Sequence, residues 1–168
     1  MSEPGSRCTV QVTVNGEVCR EDVETRVHLA DFLRHRVGLP GTHLGCEQGV
    51  CGMCTVLLDG VPVKSCIVLA AQADGHEVTT VESLGRGDQL DDLQAAFKDH
   101  HALQCGFCTP AFLLVSRSLA EEKPLSRPEL REALSGVLCR CTGYSRIVDA
   151  VEDWLSAAGA AERNGHSA

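Results

Sequence analysis

Ten cysteines in a chain of 168 residues constrain its fold more than any other feature. Eight of them fall into two tight groups, Cys46-Cys51-Cys54-Cys66 and Cys105-Cys108-Cys139-Cys141. The N-terminus, MSEPGSR, has no apolar core of the kind that directs export. Without export a disulfide scaffold is the weaker explanation for so many cysteines, and metal binding or redox chemistry is the stronger. The expected compartment is the cytoplasm, although a complex could still be exported on a partner's signal.

The first group has the spacing C-x4-C-x2-C-x11-C. That is the plant-type spacing by which four thiolates hold a [2Fe–2S] cluster. A cluster of this kind needs thiolates on a short wrapping loop, and its negative sulfides need backbone N–H donors. Gly45, Gly49 and Gly52 would let the backbone approach and turn without Cβ clashes. Structural zinc sites usually pair two C-x2-C knuckles, which this loop does not do. The Cys51–Cys54 segment, CGMC, resembles a redox dithiol, but its neighbour Cys46 argues against that.

The second group joins a C-x2-C (Cys105, Cys108) to a C-x-C (Cys139, Cys141). From spacing alone it could hold a cluster, a zinc ion or a redox dithiol. The close C-x-C pair suits two thiolates on one iron. Helix N-termini after Cys108 and Cys141 would stabilise thiolates there.

Periodicity divides the chain near residues 84–88. Before it, Cys8, Val10, Val12 and Val14 alternate with polar residues, and Asn15-Gly16 signals a hairpin into a strand from Glu17 to Glu24. Leu29 to Val37 has helical spacing and stops at Gly38. Thr55–Leu58, Asp59-Gly60 and Val61–Lys64 predict a second hairpin, and 76–82 a last strand. After the boundary, Leu90, Leu93, Ala96 and Phe97 form one helical stripe. Thr109-Pro110 opens a helix carrying Phe112, Leu113, Ser116 and Leu119. Ser126 to Glu129 is a capping box. Ile147, Val148, Val151, Trp154 and Leu155 predict a final amphipathic helix, fraying from about Ala157. The fold class is therefore α+β: a small β-grasp-like domain over 1–83, a helical domain over 84–158 and a disordered tail over 159–168.

The motifs GCEQGVCGMCTVLLDG, VKSC, QCGFCTP and LCRCTGY follow one another in this order. Together they resemble the iron–sulfur subunit of the molybdenum hydroxylases, the family of xanthine dehydrogenase, aldehyde oxidoreductase and aerobic carbon monoxide dehydrogenase. The resemblance spans about Arg7 to Leu155. It implies a plant-ferredoxin-like domain followed by a four-helix domain, each with one [2Fe–2S] cluster. Cys105, Cys108, Cys139 and Cys141 match the ligands nearest the molybdenum–pterin cofactor of a large subunit. Cys46, Cys51, Cys54 and Cys66 match the ligands nearer the FAD of a medium subunit. Gln104 and Cys141 match the residues that meet the pterin. A dimer of heterotrimers is the assembly implied. Met53 and Ala111 depart from the commonest pattern, where alanine and glycine are frequent, but neither is a ligand.

A formal charge of −8, from 23 acidic and 15 basic residues, argues against a nucleic-acid partner. The longest apolar runs fall far short of the roughly 18 residues of a membrane span. Cys8 and Cys19, out of register across the first hairpin, read as free thiols. The seven histidines, His43, His100 and His101 among them, read as helix-end or loop residues. Asp31, Asp91, Asp92 and the Glu121-Glu122 pair read as solvated helical positions. A free two-cluster carrier serving several partners, or a zinc-stabilised interaction module, are the competing functions.

Overall fold

The computed structural model describes residues 5–120 and 125–165, with side chains up to Ala157. The expected Glu121-Glu122 pair lies outside the described residues.

Alternation of valine with polar residues produces β1 (Arg7–Val14), whose Val10, Val12 and Val14 are buried. Asn15 and Gly16 both take positive φ, 52° and 84°, the geometry of a tight two-residue hairpin turn. β2 (Glu17–Glu24) returns antiparallel, with Val12 opposite Cys19 and Cys8 opposite Val23. The two thiols are thus out of register, as expected. β3 (Thr55–Leu58) and β4 (Val61–Lys64) make the second hairpin. β5 (Glu77–Thr79) lies between β1, which it meets in parallel, and β3, which it meets antiparallel. The sheet order is β2-β1-β5-β3-β4. The last strand is shorter than the expected span, because Val81–Ser83 coils into a 3-10 turn.

α1 (Leu29–Phe32) continues into a π-helical turn, Leu33–Val37, and ends at Gly38. Leu29, Phe32 and Leu33 bury against the valines of the sheet. His28 caps this helix, its Nδ1 accepting from the Asp31 N–H at 3.0 Å.

A second core gathers α2 (Asp92–Asp99), α3 (Thr109–Leu119), α4 (Arg127–Leu134) and α5 (Ser145–Gly165). Phe97, Phe112, Leu130, Leu134, Ile147 and Trp154 are buried in it. Leu90 stays outside the helix and is exposed. Asp91 is the N-cap of α2, in a capping box with Gln94, and also pairs with Arg117 at 2.8 Å. It is therefore a half-buried structural residue, not the solvated one expected. α3 begins one residue earlier than the sequence suggests, with Cys108 as N-cap. The Ser126–Glu129 capping box forms as expected. α5 runs to Gly165 rather than giving way to an irregular tail from residue 159.

α3 packs against β3 and β4, which joins the two cores. Among the described residues no helix is long and apolar enough to cross a membrane.

Candidate metal centres

The loop between α1 and β3 carries Cys46, Cys51 and Cys54, and Cys66 follows β4 in a 3-10 turn. The hairpin β3–β4 therefore brings Cys66 back beside Cys54. The Cys66 N–H points at the Cys54 sulfur at 3.4 Å, and the Cys51 N–H at the Cys46 sulfur at 3.3 Å. Ser65 is wholly buried, and its hydroxyl donates to the Cys54 carbonyl at 2.6 Å.

In the second group Cys105 and Cys108 precede α3, and Cys139 and Cys141 lie in the turn between α4 and α5. The Cys105 and Cys141 sulfurs are 3.5 Å apart. Cys139 faces Cys108, and the Thr142 hydroxyl and N–H reach the Cys139 sulfur at 3.0 and 3.4 Å. The Cys139 N–H donates to the Tyr144 hydroxyl at 2.9 Å. The C-x-C cysteines thus face different partners, Cys139 towards Cys108 and Cys141 towards Cys105. The tight turn closed by Thr142 sends their sulfurs to different partners.

All ten cysteines are free thiols. The eight in the two groups face each other two by two: Cys46 with Cys51, Cys54 with Cys66, Cys105 with Cys141, Cys108 with Cys139. Two pairs of thiolates, flanked by backbone N–H groups, suit a binuclear iron–sulfur rhomb, which takes two thiolates on each iron. The donor set therefore fits that group.

Electrostatics separates the thiols. Backbone N–H groups of Cys51 and Gln48 aim at Cys46 and lower it to about 6. Burial raises Cys54 to about 11 and Cys108 to about 12, each further raised by its facing cysteine. Cys105 is lowered, first by the Phe107 N–H. At pH 7 in the metal-free chain Cys46 is mostly thiolate, whereas Cys54 and Cys108 are thiols. Iodoacetamide should then label Cys46 first and Cys54 and Cys108 last. Peptide mapping of a time course checks this order, and equal rates at the three sites would contradict it.

The three glycines serve different ends. A Cβ on Gly45 would come within 3.1 Å of the Cys51 sulfur. One on Gly49 would press on the Ile67 side chain, and one on Gly52 would strike the backbone at Gly136. Gly52 thus serves the meeting of the two loops rather than the first loop alone. That meeting also includes a hydrogen bond from the Leu138 N–H to the Cys51 carbonyl, 2.9 Å. The His43 ring stacks on Phe107 nearby. Gln104, next to Cys105, is exposed, as are Leu103, Phe107 and Leu138, which neighbour the second group's cysteines in sequence. Val50, Ile67 and Leu69 form the exposed apolar fringe of the first.

Two adjoining sets of paired thiols on an α+β scaffold define an iron–sulfur protein. Comparison with known families agrees: a [2Fe-2S] binding domain matches residues 80–152, and a 2Fe-2S iron-sulfur cluster binding domain matches 42–102. The chain is 54% identical to the nicotine 6-hydroxylase small subunit of Paenarthrobacter nicotinovorans, over 89% of this chain and 91% of that one. It is 41% identical to the xanthine dehydrogenase iron-sulfur-binding subunit of Escherichia coli O157:H7, over 86% and 92%. The structure of quinoline 2-oxidoreductase from Pseudomonas putida 86 contains a chain that superposes with a TM-score of 0.87 at 53% identity, covering 94% and 97%. The chain belongs to the family of iron–sulfur small subunits of the xanthine dehydrogenase-type molybdenum hydroxylases. In the aldehyde oxidoreductase from Desulfovibrio desulfuricans ATCC 27774 the same fold occupies only 17% of a longer chain, at a TM-score of 0.85.

Proposed function

We propose that this chain is the electron relay of a heteromeric molybdenum hydroxylase, with Cys46, Cys51, Cys54 and Cys66 holding one [2Fe–2S] cluster and Cys105, Cys108, Cys139 and Cys141 the other. When bound, these groups supply one-electron chemistry between a molybdenum–pterin cofactor on a large subunit and FAD on a medium subunit. The observation that carries the reading is the two-by-two facing of eight thiols in two adjoining sites. The chain's own residues do no bond-making; they hold the two sites close, exclude water from Cys54 and Cys108, and aim N–H groups at the sulfurs.

The plant-ferredoxin-like domain takes residues 1–83 and the four-helix domain 84–158. Gln104 and Cys141 would meet the pterin: both are exposed, and exposed Leu103, Phe107 and Leu138 flank the same cysteine motifs in sequence. Such a fringe on a soluble chain marks a partner surface. The Val50, Ile67 and Leu69 fringe faces the flavin subunit. The assembly is a dimer of heterotrimers, and a cytoplasmic setting suits ten free thiols.

Relatives named for nicotine, 6-hydroxypseudooxynicotine and caffeine oxidation are 54%, 54% and 48% identical. The quinoline oxidoreductase chain is 53% identical. Aldehyde oxidoreductase subunits stand near 40%. A nitrogen heteroaromatic is therefore the favoured substrate class of the complex.

Complex isolated through a tag on this chain should carry about four irons per chain, from two clusters, with molybdenum and two larger subunits. Iron without molybdenum or partners would favour a free carrier. Zinc without iron would overturn both.

A further inference from the structure

His43 stands on the first cysteine loop, just before Cys46, yet its side chain reaches the second. Its ring lies flat on Phe107, with centroids 4.6 Å apart and planes 12° apart. Its Nδ1 is 2.7 Å from the Phe107 carbonyl oxygen. A carbonyl oxygen can only accept, so Nδ1 carries the proton and donates.

Phe107 lies between Cys105 and Cys108. Its N–H favours the thiolate of Cys105. Its carbonyl belongs to the peptide that leads into buried Cys108. Holding this one residue therefore orients both arms of the C-x2-C segment. The segment needs an outside anchor: Phe107 is 43% exposed, and Gly106 before it takes φ +81°. Stacking alone would let the ring slide, and a hydrogen bond alone would let it swing. The two contacts together fix both the plane and the direction.

We propose that His43 is a positioning residue that locks the Cys105–Cys108 loop onto the first cysteine loop and so fixes the separation and orientation of the two metal centres. This rests on the reading that both cysteine sets hold clusters. The Leu138–Cys51 hydrogen bond ties the Cys139 side of the second centre to the first loop. His43 ties the opposite side, so neither half of the second centre is free to rotate about the other's tether.

Two variants separate the contacts. His43→Phe keeps a flat ring and loses the donor, while His43→Asn keeps a short donor and loses the aromatic face. The complex isolated through this chain is compared with wild type for iron content, amide exchange at residues 106–109, and spin–spin splitting between the two reduced centres in low-temperature EPR. With His43→Phe, exchange should rise about fivefold, the effect of losing one partly exposed neutral hydrogen bond. The splitting should change as well, and His43→Asn should restore part of the exchange protection. Loss of second-site iron in His43→Phe but not in His43→Asn would support the same role. Unchanged exchange and unchanged splitting in His43→Phe would overturn it. Iron missing from the wild-type chain would instead overturn the cluster reading, and the exchange comparison would still decide whether His43 holds the loop.

Discussion

Replacing Cys141 with alanine should cut the iron bound by this chain from about four to about two, the content of one [2Fe–2S] cluster, and stop turnover with an external acceptor. Cys141 is exposed and faces Cys105 across 3.5 Å. Its removal leaves Cys105 without its facing thiol and the second site one donor short. Nothing in the core depends on it, since Cys141 is absent from the buried cluster of the helical half. The fold and the first cysteine set should therefore survive, and the partner subunits should still assemble. Substrate should then react once at the partner's site and no further, so a single-turnover burst persists while steady-state acceptor reduction falls to background. Cys8→Ser and Cys19→Ser are the matched controls: both thiols lie on the first hairpin, away from either group, and their loss should leave iron and rate unchanged. Full steady-state turnover by Cys141→Ala with only about two irons would remove the relay role from the second centre.

The sequence disclosed most of this architecture because its signals are local. Alternating valines, two turn dipeptides and a capping box set β1 to β4 and α4 almost residue for residue. The cysteine groups were legible because thiolate spacing on a short loop is itself the chemistry. What stayed hidden is set by contacts distant in sequence. β5 gains its place only by pairing with β1 and β3 at once, and those pairings end at Thr79. Asp91 reads as a surface acid until Arg117, a turn-rich 26 positions away, closes on it. The crossed pairing of the C-x-C cysteines depends on how α3 and the turn before α5 face each other. His43 carries no motif of its own, and the one available hint was an aromatic neighbour-seeking ring beside each cysteine group. Spacing describes one loop at a time, whereas the meeting of the loops is a property of the packed cores.

That meeting can be broken by one methyl group. Gly52 takes φ +72°, and a Cβ there would lie 2.2 Å from the Gly136 oxygen and 3.0 Å from the Val137 Cα. These are backbone atoms, so no side chain can swing aside. The Gly52 carbonyl is also pinned, accepting from the Thr55 N–H at 3.2 Å and the Thr55 hydroxyl at 2.7 Å. Gly60 offers the comparison. It takes φ +80° in the β3–β4 turn, and a Cβ there meets no atom within 4 Å. Gly60→Ala should therefore cost only the left-handed strain, about 1–2 kcal/mol. Gly52→Ala adds overpacking of about 1–3 kcal/mol to that strain. The second loop must move off the first to relieve it, which stretches the Leu138–Cys51 hydrogen bond and the His43–Phe107 contact. Thermal unfolding of the two variants should show the larger loss for Gly52→Ala. Iron should fall in Gly52→Ala and stay at the wild-type level in Gly60→Ala. Equal losses in the two would mean that strain alone, not contact between the loops, explains why position 52 is glycine.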